Sequence, residues 1–390
     1  MAEAYIVAAT RPAGGRKGGR VRDWHPADLA AVALNELMDR TGVDPAAVED
    51  VIMGCVTQAG EQSTNIGRNA VLASKLPESV PATSVDRQCG SSQQALQFAA
   101  QAVMSGTMDI VIASGVESMT RAPMGMSVVL PMKAGMGVPK SPRMEERYPN
   151  IQFSQFMGAE MVAAKYGLTK DQLDEFGYLS HQRAIAATQG GAFKDEIVAI
   201  DGLDKDGNVV RHDIDEGIRF EASLEGMRAV KLLQEGGQLT AATSSQICDG
   251  ASGVMIVSEK GLKELGVKPL ARIHHMTLLG HDPVIMLEAP IPATERAFKR
   301  TGMKASDIDF YEVNEAFASV PVAYMKTLGV DREKLNVNGG AIALGHPLGA
   351  SGTKLMTTLL NTLEAKGGKY GLQTMCEGGG MANVTIVERL

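Results

Sequence analysis

Two rhythms of apolar residues alternate along this chain. Short apolar runs such as Tyr5-Ile6-Val7-Ala8-Ala9-Thr10 and Asp109-Ile110-Val111-Ile112-Ala113 read as buried strands. Between them lie stretches of helical period, such as Gln93 to Val103 and Thr353 to Leu363. Strands that alternate with amphipathic helices favour a largely parallel sheet covered on both faces.

The same order of elements occurs twice. Arg40-Thr41-Gly42-Val43 returns as Arg300-Thr301-Gly302-Met303, and Ala47-Val48-Glu49-Asp50-Val51-Ile52 lies over Asp307-Ile308-Asp309-Phe310-Tyr311-Glu312 at the same offset. The helical stretch Gln93 to Val103 then lies over Thr353 to Leu363, and the strand at Asp109 over Lys369-Tyr370-Gly371-Leu372-Gln373. Two similar α/β halves packed face to face are therefore expected. From about residue 121 to 245 a Pro-, Met- and Gly-rich stretch, more helices and a charged region break the repeat, which reads as a lobe inserted on the first half. Met124, Met126, Met132, Met136 and Met144 in this lobe are either an adaptable apolar surface for a substrate or side chains that plug gaps.

A chain of 390 residues, 44% of them hydrophobic, buries a large core and exceeds one simple domain. Its 43 glycines against 4% aromatic residues suit α/β layers packed through small residues. A net charge of −7 with no dense basic stripe argues against nucleic acid as the main partner. No window approaches the eighteen uninterrupted apolar residues of a membrane span. The first ten residues read as an acidic turn entering a buried strand and not as a leader peptide, so a cytoplasmic protein is expected. Cys55, Cys89, Cys248 and Cys376 are too far apart in sequence for metal-ligand spacing or a disulfide framework, and no metal is expected.

Cys89 sits in Val85-Asp86-Arg87-Gln88-Cys89-Gly90-Ser91-Ser92, just before a helical run. A helix N-terminus lowers a thiol's pKa and raises its thiolate fraction, so this position suits a nucleophile. It equally suits a small buried residue in a strand–helix turn. His346 lies in Gly345-His346-Pro347-Leu348-Gly349-Ala350-Ser351-Gly352, on the corresponding strand–helix turn of the second half. A pseudo-twofold arrangement of the halves is expected to bring the two turns together, where an imidazole can serve as base or donor near neutral pH. Cys55 and Cys248 have no basic neighbour in sequence and read as packing residues, and the other histidines are assigned no chemistry.

The segments around Cys89, Asn314-Glu315-Ala316-Phe317-Ala318, Gly345 to Gly352 and Cys376-Glu377-Gly378-Gly379-Gly380 resemble, in order and spacing, the four active-site motifs of the thiolases. The resemblance spans essentially the whole chain. Within the family the chain is most similar to actinobacterial acetyl-CoA acyltransferases associated with lipid and steroid-ring breakdown. The resemblance implies a layered αβαβα core of duplicated halves. The N-terminal half would take residues 1–120 plus 246–270, an inserted loop domain that covers CoA and substrate residues 121–245, and the C-terminal half residues 271–390.

The implied reaction is reversible thiolytic cleavage of a 3-ketoacyl-CoA, or the reverse Claisen condensation, through an acyl group on Cys89. His346 would take the Cys89 proton and Cys376 would be the second acid/base. One oxyanion hole would combine His346 Nε2 with a water held by Asn314, and the other the backbone N–H groups of Cys89 and Gly378. Ser245 would approach the pantetheine arm of CoA and Arg219 its adenine end. Coenzyme A enters as substrate and product with no permanently bound cofactor, and the protein is expected to be a homodimer or homotetramer.

Two departures stand out. Phe156-Met157-Gly158-Ala159-Glu160 lacks the histidine before Met-Gly found in many short-chain thiolases, as well as two further residues, which points to a pocket that admits more than acetoacetyl groups. Gln246 replaces a small family glycine. A decarboxylating ketoacyl synthase of the same superfamily would pair its cysteine with two histidines, where this chain has Asn314 and Cys376. A non-catalytic acyl-CoA carrier would be free to lose Cys89, His346 or Cys376, and a redox sensor that joins Cys89 to Cys376 would need no acyl-CoA.

Overall fold

The N-terminal apolar run forms β1 (Tyr5–Pro12), buried at every residue after Tyr5, in the middle of the main sheet. The computed structural model describes residues 2–390, so Met1, at the head of the acidic turn, lies outside the described residues. The first half continues with β2 (Gly15–Arg16), β3 (Asp50–Gly54), β4 (Ala82–Val85) and β5 (Ile110–Ser118). The middle segment carries β6 (Ile197–Val198) and the separate hairpin of β7 (Ile200–Leu203) and β8 (Val209–His212), and β9 (Cys248–Val257) returns to the sheet. The second half supplies β10 (Ala271–Gly280), β11 (Phe310–Val313), β12 (Tyr370–Glu377) and β13 (Met381–Arg389).

The strands lie in the order β11-β12-β13-β10-β1-β9-β5-β3-β4, and the halves join where Ile6 on β1 pairs antiparallel with Ala271 on β10. The repeat survives at the level of register. Asp50 pairs with Val111 between parallel β3 and β5, and Phe310 pairs with Gly371 between parallel β11 and β12, each pair 260 residues after the other. The expected largely parallel sheet is in fact mixed. Only β3–β4, β3–β5 and β11–β12 are parallel in the main path: β13 returns from β12 by a tight turn, which makes an antiparallel neighbour, and the pairs β10–β13, β1–β10, β1–β9 and β5–β9 are antiparallel as well.

Helices cover and separate these strands in five layers. The helix Pro26–Thr41 packs its Leu29, Leu34 and Leu37 on the outer face of the first half. The helices Ser91–Met104 and Ser351–Lys366 form the central layer, and one apolar cluster joins Leu96, Ala99 and Ala100 of the first to Met356, Leu359 and Leu363 of the second. Each fully buried Leu there stabilises the fold by roughly 2 kcal/mol. The helices Pro290–Thr301 and Ser319–Leu328 cover the outer face of the second half. This is the αβαβα order.

In the middle segment, Ala159, Val162, Ala163, Leu173 and Phe176 share their core with the second half. Met124, Met132, Met136 and Met144 stand exposed, and the helix Met126–Lys133 buries no residue. No described helix is long and apolar enough to cross a membrane.

Candidate active site

The two central helices meet at their N-termini, and this brings the two strand–helix turns together. A β-carbon on Gly352 would stand 2.0 Å from the backbone nitrogen of Gln93, so only glycine permits the contact, and Thr353 N donates to Ser92 Oγ at 3.1 Å. The buried Glu117 carboxylate ties the halves at the same place. It accepts from Val56 N, Thr57 N and Gln62 Nε2 of the first half and from Gly349 N of the second, at 2.8–3.0 Å.

Cys89 occupies a constrained turn. Gln88 is left-handed (φ 48°), a conformation that costs a non-glycine residue about 1–2 kcal/mol, and Asp86 Oδ1 holds it by accepting from its N–H at 2.7 Å. Ser91 closes the turn by donating to Gln88 O at 2.6 Å. The expected low thiol pKa is not found: burial, and then the charge of Glu377, push Cys89 up to about 12. Although Cys89 is only half-buried by surface exposure, desolvation together with the charges of Glu377, Glu117 and Asp86 outweighs the helix N-terminus. The resting group is therefore a thiol that needs a base.

His346, on the turn that faces it, is held as a neutral proton acceptor. Its Nδ1 lies 2.5 Å from Ser351 Oγ, and Ser351 donates its own proton to Pro347 O at 2.9 Å. Ser351 Oγ must then accept, so Nδ1 carries the hydrogen and Nε2 the free lone pair. Asn314 Nδ2 donates to Nε2 at 3.3 Å. Burial, and then the charge of Lys354, hold His346 down at about 3, so it stays neutral and able to accept. Lys354 Nζ also donates to Leu344 O at 2.6 Å, which fixes the backbone just before His346. Ser351 and Lys354 were not singled out from the sequence, although Ser351 falls inside the glycine-rich motif.

Asn314 and Cys376 stand at the C-terminal ends of the adjacent parallel strands β11 and β12, where Asn314 N donates to Thr374 O at 3.1 Å. Open α/β sheets bind ligands at such strand ends. Asn314 Oδ1 is buried without a partner among the described residues, as an atom left for a bound water would be. Burial, and then the nearby Cys89, raise the Cys376 thiol well above its usual range. Gly378 approaches the Cys89 turn closely enough that a β-carbon there would lie 2.9 Å from Gln88 Oε1.

A cavity of about 220 Å³ opens beside His346, lined by Met119, Met124, Phe156, Ser245, Phe317 and Leu348 among others. Ser245 is anchored there by its N–H to Ala316 O at 2.9 Å. Gln246, whose effect the sequence left open, is a clamp. Its Nε2 donates to Gly217 O and Ile342 O, both at 2.7 Å, and its main-chain carbonyl accepts from His346 N at 3.0 Å. Arg219 does not line this cavity; it is exposed, with its N–H donated to His181 Nδ1 at 3.2 Å. Its neighbours Ile218 and Phe220 line a larger cleft of about 730 Å³ with Arg16, Arg20, Arg22 and Lys205, which shares no residue with the cavity at His346. Cys55 and Cys248 are buried, and no group of His, Cys, Asp or Glu among the described residues is arranged to hold a metal ion.

Two thiols, a neutral imidazole and an amide at the meeting point of duplicated α/β halves suit covalent acyl transfer between thioesters. Residues 4–260 match the thiolase N-terminal domain and residues 267–389 the thiolase C-terminal domain. The chain is 50% identical over 392 residues to the steroid 3-ketoacyl-CoA thiolase FadA6 of Mycobacterium tuberculosis, with 100% of this chain and 95% of that protein covered. It is 43% identical to the 3-ketoacyl-CoA thiolase of Marinobacter nauticus, covering 100% and 98%. The crystal structure of human mitochondrial 3-ketoacyl-CoA thiolase superposes with a TM-score of 0.90 at 33% identity, over 100% of this chain and 99% of that one. The chain belongs to the thiolase family, and its chemistry is CoA-dependent acyl transfer and cleavage of the thiolase type.

Proposed function

We propose that this thiolase cleaves 3-ketoacyl-CoA esters bulkier than acetoacetyl-CoA, with the acyl group held on Cys89. The apolar cavity at His346 carries this reading. Its outer wall is Met124 and Phe156, each 46% exposed, and Phe156 stacks edge-on against buried Phe317 with ring centroids 5.5 Å apart. A long or ring-bearing acyl group leaves the cavity between these two side chains without displacing the core. The half-identical relative named a steroid 3-ketoacyl-CoA thiolase supports the same direction. The test compares kcat/KM for acetoacetyl-CoA, a long straight-chain and a polycyclic 3-ketoacyl-CoA. The bulkier substrates should be favoured by about tenfold or more, the worth of a few methylene contacts. A strict preference for acetoacetyl-CoA would sink the proposal.

In the proposed mechanism His346 Nε2 takes the Cys89 proton as the sulfur attacks the ketone carbon. The C2–C3 bond breaks, and Cys376 gives its proton to the departing acetyl-CoA enolate. Its high pKa suits an acid that must be protonated beforehand. Cys376 then removes the proton of an incoming CoA thiol, which attacks the acyl-Cys89 thioester; the Cys89 sulfur departs, takes its proton back from His346, and the shortened acyl-CoA is freed. Once protonated, His346 Nε2 joins a water held by Asn314 around one oxyanion, while the N–H groups of Cys89 and Gly378 serve the other. Asn314→Ala is expected to lower kcat by about 100-fold or more with little change in KM. A rise in KM alone would show that Asn314 serves binding instead.

Ser245 is proposed to contact the pantetheine arm of CoA and Arg219 its adenine end. We likewise propose the division into residues 1–120 plus 246–270, 121–245 and 271–390. A homodimer or homotetramer is supported by the open edge of β4 and by the exposed Val128, Val129, Leu130 and Met132. Four free cysteines fit a reducing, cytoplasmic setting.

A further inference from the structure

Glu377, the last residue of β12, is fully buried, and neither carboxyl oxygen has a hydrogen-bond partner among the described residues. It lies against the back of the Cys89 turn. A β-carbon on Gly90 would stand 2.0 Å from Glu377 Oε1 and 3.0 Å from Asn383 Oδ1, so both oxygens converge on the same glycine. Asn383, on β13, donates its amide to Gly90 O at 3.3 Å. That contact orients the Asn383 side chain, and its Oδ1 is left buried with no donor among the described residues. Two converging acceptors with no proton between them are unfavourable in a dry interior, where each unsatisfied oxygen costs about 1–3 kcal/mol. A carboxylic acid can donate where a carboxylate cannot.

We propose that Glu377 is a neutral carboxylic acid that donates to Asn383 Oδ1 behind the Cys89–Gly90 peptide, a positioning residue that closes the turn and keeps negative charge away from the Cys89 sulfur. Burial agrees: it pushes Glu377 up to about 8 against the pull of Arg87. The titratable groups coupled to this corner are Asp86, Arg87 and Cys89 on the turn, Glu117 on β5 and Cys376 on β12. On β13, Asn383 and Met381 carry no charge. The charge of Glu377 is, after burial, the largest influence that opposes the Cys89 thiolate. Below about pH 8 that charge is absent and the proton leaves Cys89 more easily; above it, ionised Glu377 holds the proton on the thiol.

The meaning for catalysis rests on Cys89 being the nucleophile, whereas the protonation state of Glu377 does not. Two readouts keep these apart. Iodoacetamide labelling of the native enzyme and of Glu377→Gln, followed at the Cys89 peptide by mass spectrometry from pH 7 to 9.5, reads the coupling directly. The rate ratio of variant to native should climb several-fold with pH, one unit of thiol pKa being about tenfold in thiolate. A ratio that stays constant across that range overturns the proposal. Glu377→Leu, neutral and of similar size, should give the same climb, and a uniform loss in both variants at every pH would reveal a packing role only. Infrared difference spectra of native enzyme against Glu377→Gln at pH 7 should contain a protonated carboxyl band assigned to Glu377. A carboxylate band in its place also overturns the proposal.

Discussion

Cys89→Ala is expected to abolish the acyl-enzyme and to lower thiolysis by roughly ten-thousand-fold or more, because the remaining groups have no nucleophile to act through. Intact-protein mass spectrometry after brief incubation with a bulky 3-ketoacyl-CoA checks this. The native chain should carry one acyl group that maps to Cys89 and is discharged by CoA, and the variant none. An adduct of equal yield on Cys89→Ala would move the nucleophile elsewhere. The pH dependence of acylation gives an independent check on the base. His346 has its pKa lowered to about 3, so its proton-accepting form persists as pH falls from 8 to 5, and it contributes no acid limb in that window. A limb centred near 6.5, traced to His346, would mean that the imidazole titrates as an ordinary histidine.

Arg11→Ala is expected to produce the largest loss of stability, about 3–5 kcal/mol. Arg11 is completely buried on β1 and grips two carboxylates from the middle segment: Nε donates to Glu196 Oε1 at 2.8 Å, and Nη1 and Nη2 donate to the two Asp215 oxygens at 2.8 and 2.9 Å. Removing the guanidinium leaves two acidic groups buried without their partner, which costs far more than the net worth of the ion pair. The midpoint of urea unfolding reads the effect, and a shift worth less than about 1 kcal/mol would contradict the assignment. Burial opposes ionised Asp215, but Arg11 and Lys354 together outweigh it and hold its pKa below the ordinary carboxylate value. Its contribution to stability is thus present above the unfolded carboxylate range and lost as pH falls through the depressed value. Glu196 goes the other way, raised by burial, because Arg11 reaches only one of its oxygens and Oε2 has no partner among the described residues. The cluster also reaches the site: Asp215 lies 3.8 Å from Lys354, which holds the carbonyls before His346.

How much of this was legible beforehand differs from residue to residue. The duplication could be read because strand and helix periods are local, and the same register 260 residues apart bears it out. The parallel character was overestimated, since the pairing direction of β13 depends on how the chain returns and not on the apolar pattern of the strand. Cys89, His346, Asn314 and Cys376 stand out as candidates through four motifs taken together. The structure brings Asn314 to His346 and couples Cys376 to Cys89. Ser351, Lys354 and Glu377 escaped notice because an ordinary serine, lysine or glutamate signals nothing until its partners are known. Gln246 reads as a bare substitution in the sequence, because the two backbone segments its side-chain amide joins, at Gly217 and Ile342, lie far from it along the chain.

The sequence by itself determined the alternation of strands and helices and the repeat, and it named the candidate reactive groups, because these depend on spacing along the chain. Only the tertiary structure decided their protonation. A helix N-terminus predicts a low pKa for Cys89, but the pKa of a half-buried thiol follows from how much solvent it has lost and which charges stand behind it. The acids behind the Cys89 turn, on β5 and β12, come from distant parts of the chain, so the sign of that balance could not be read from the residues around Cys89 alone.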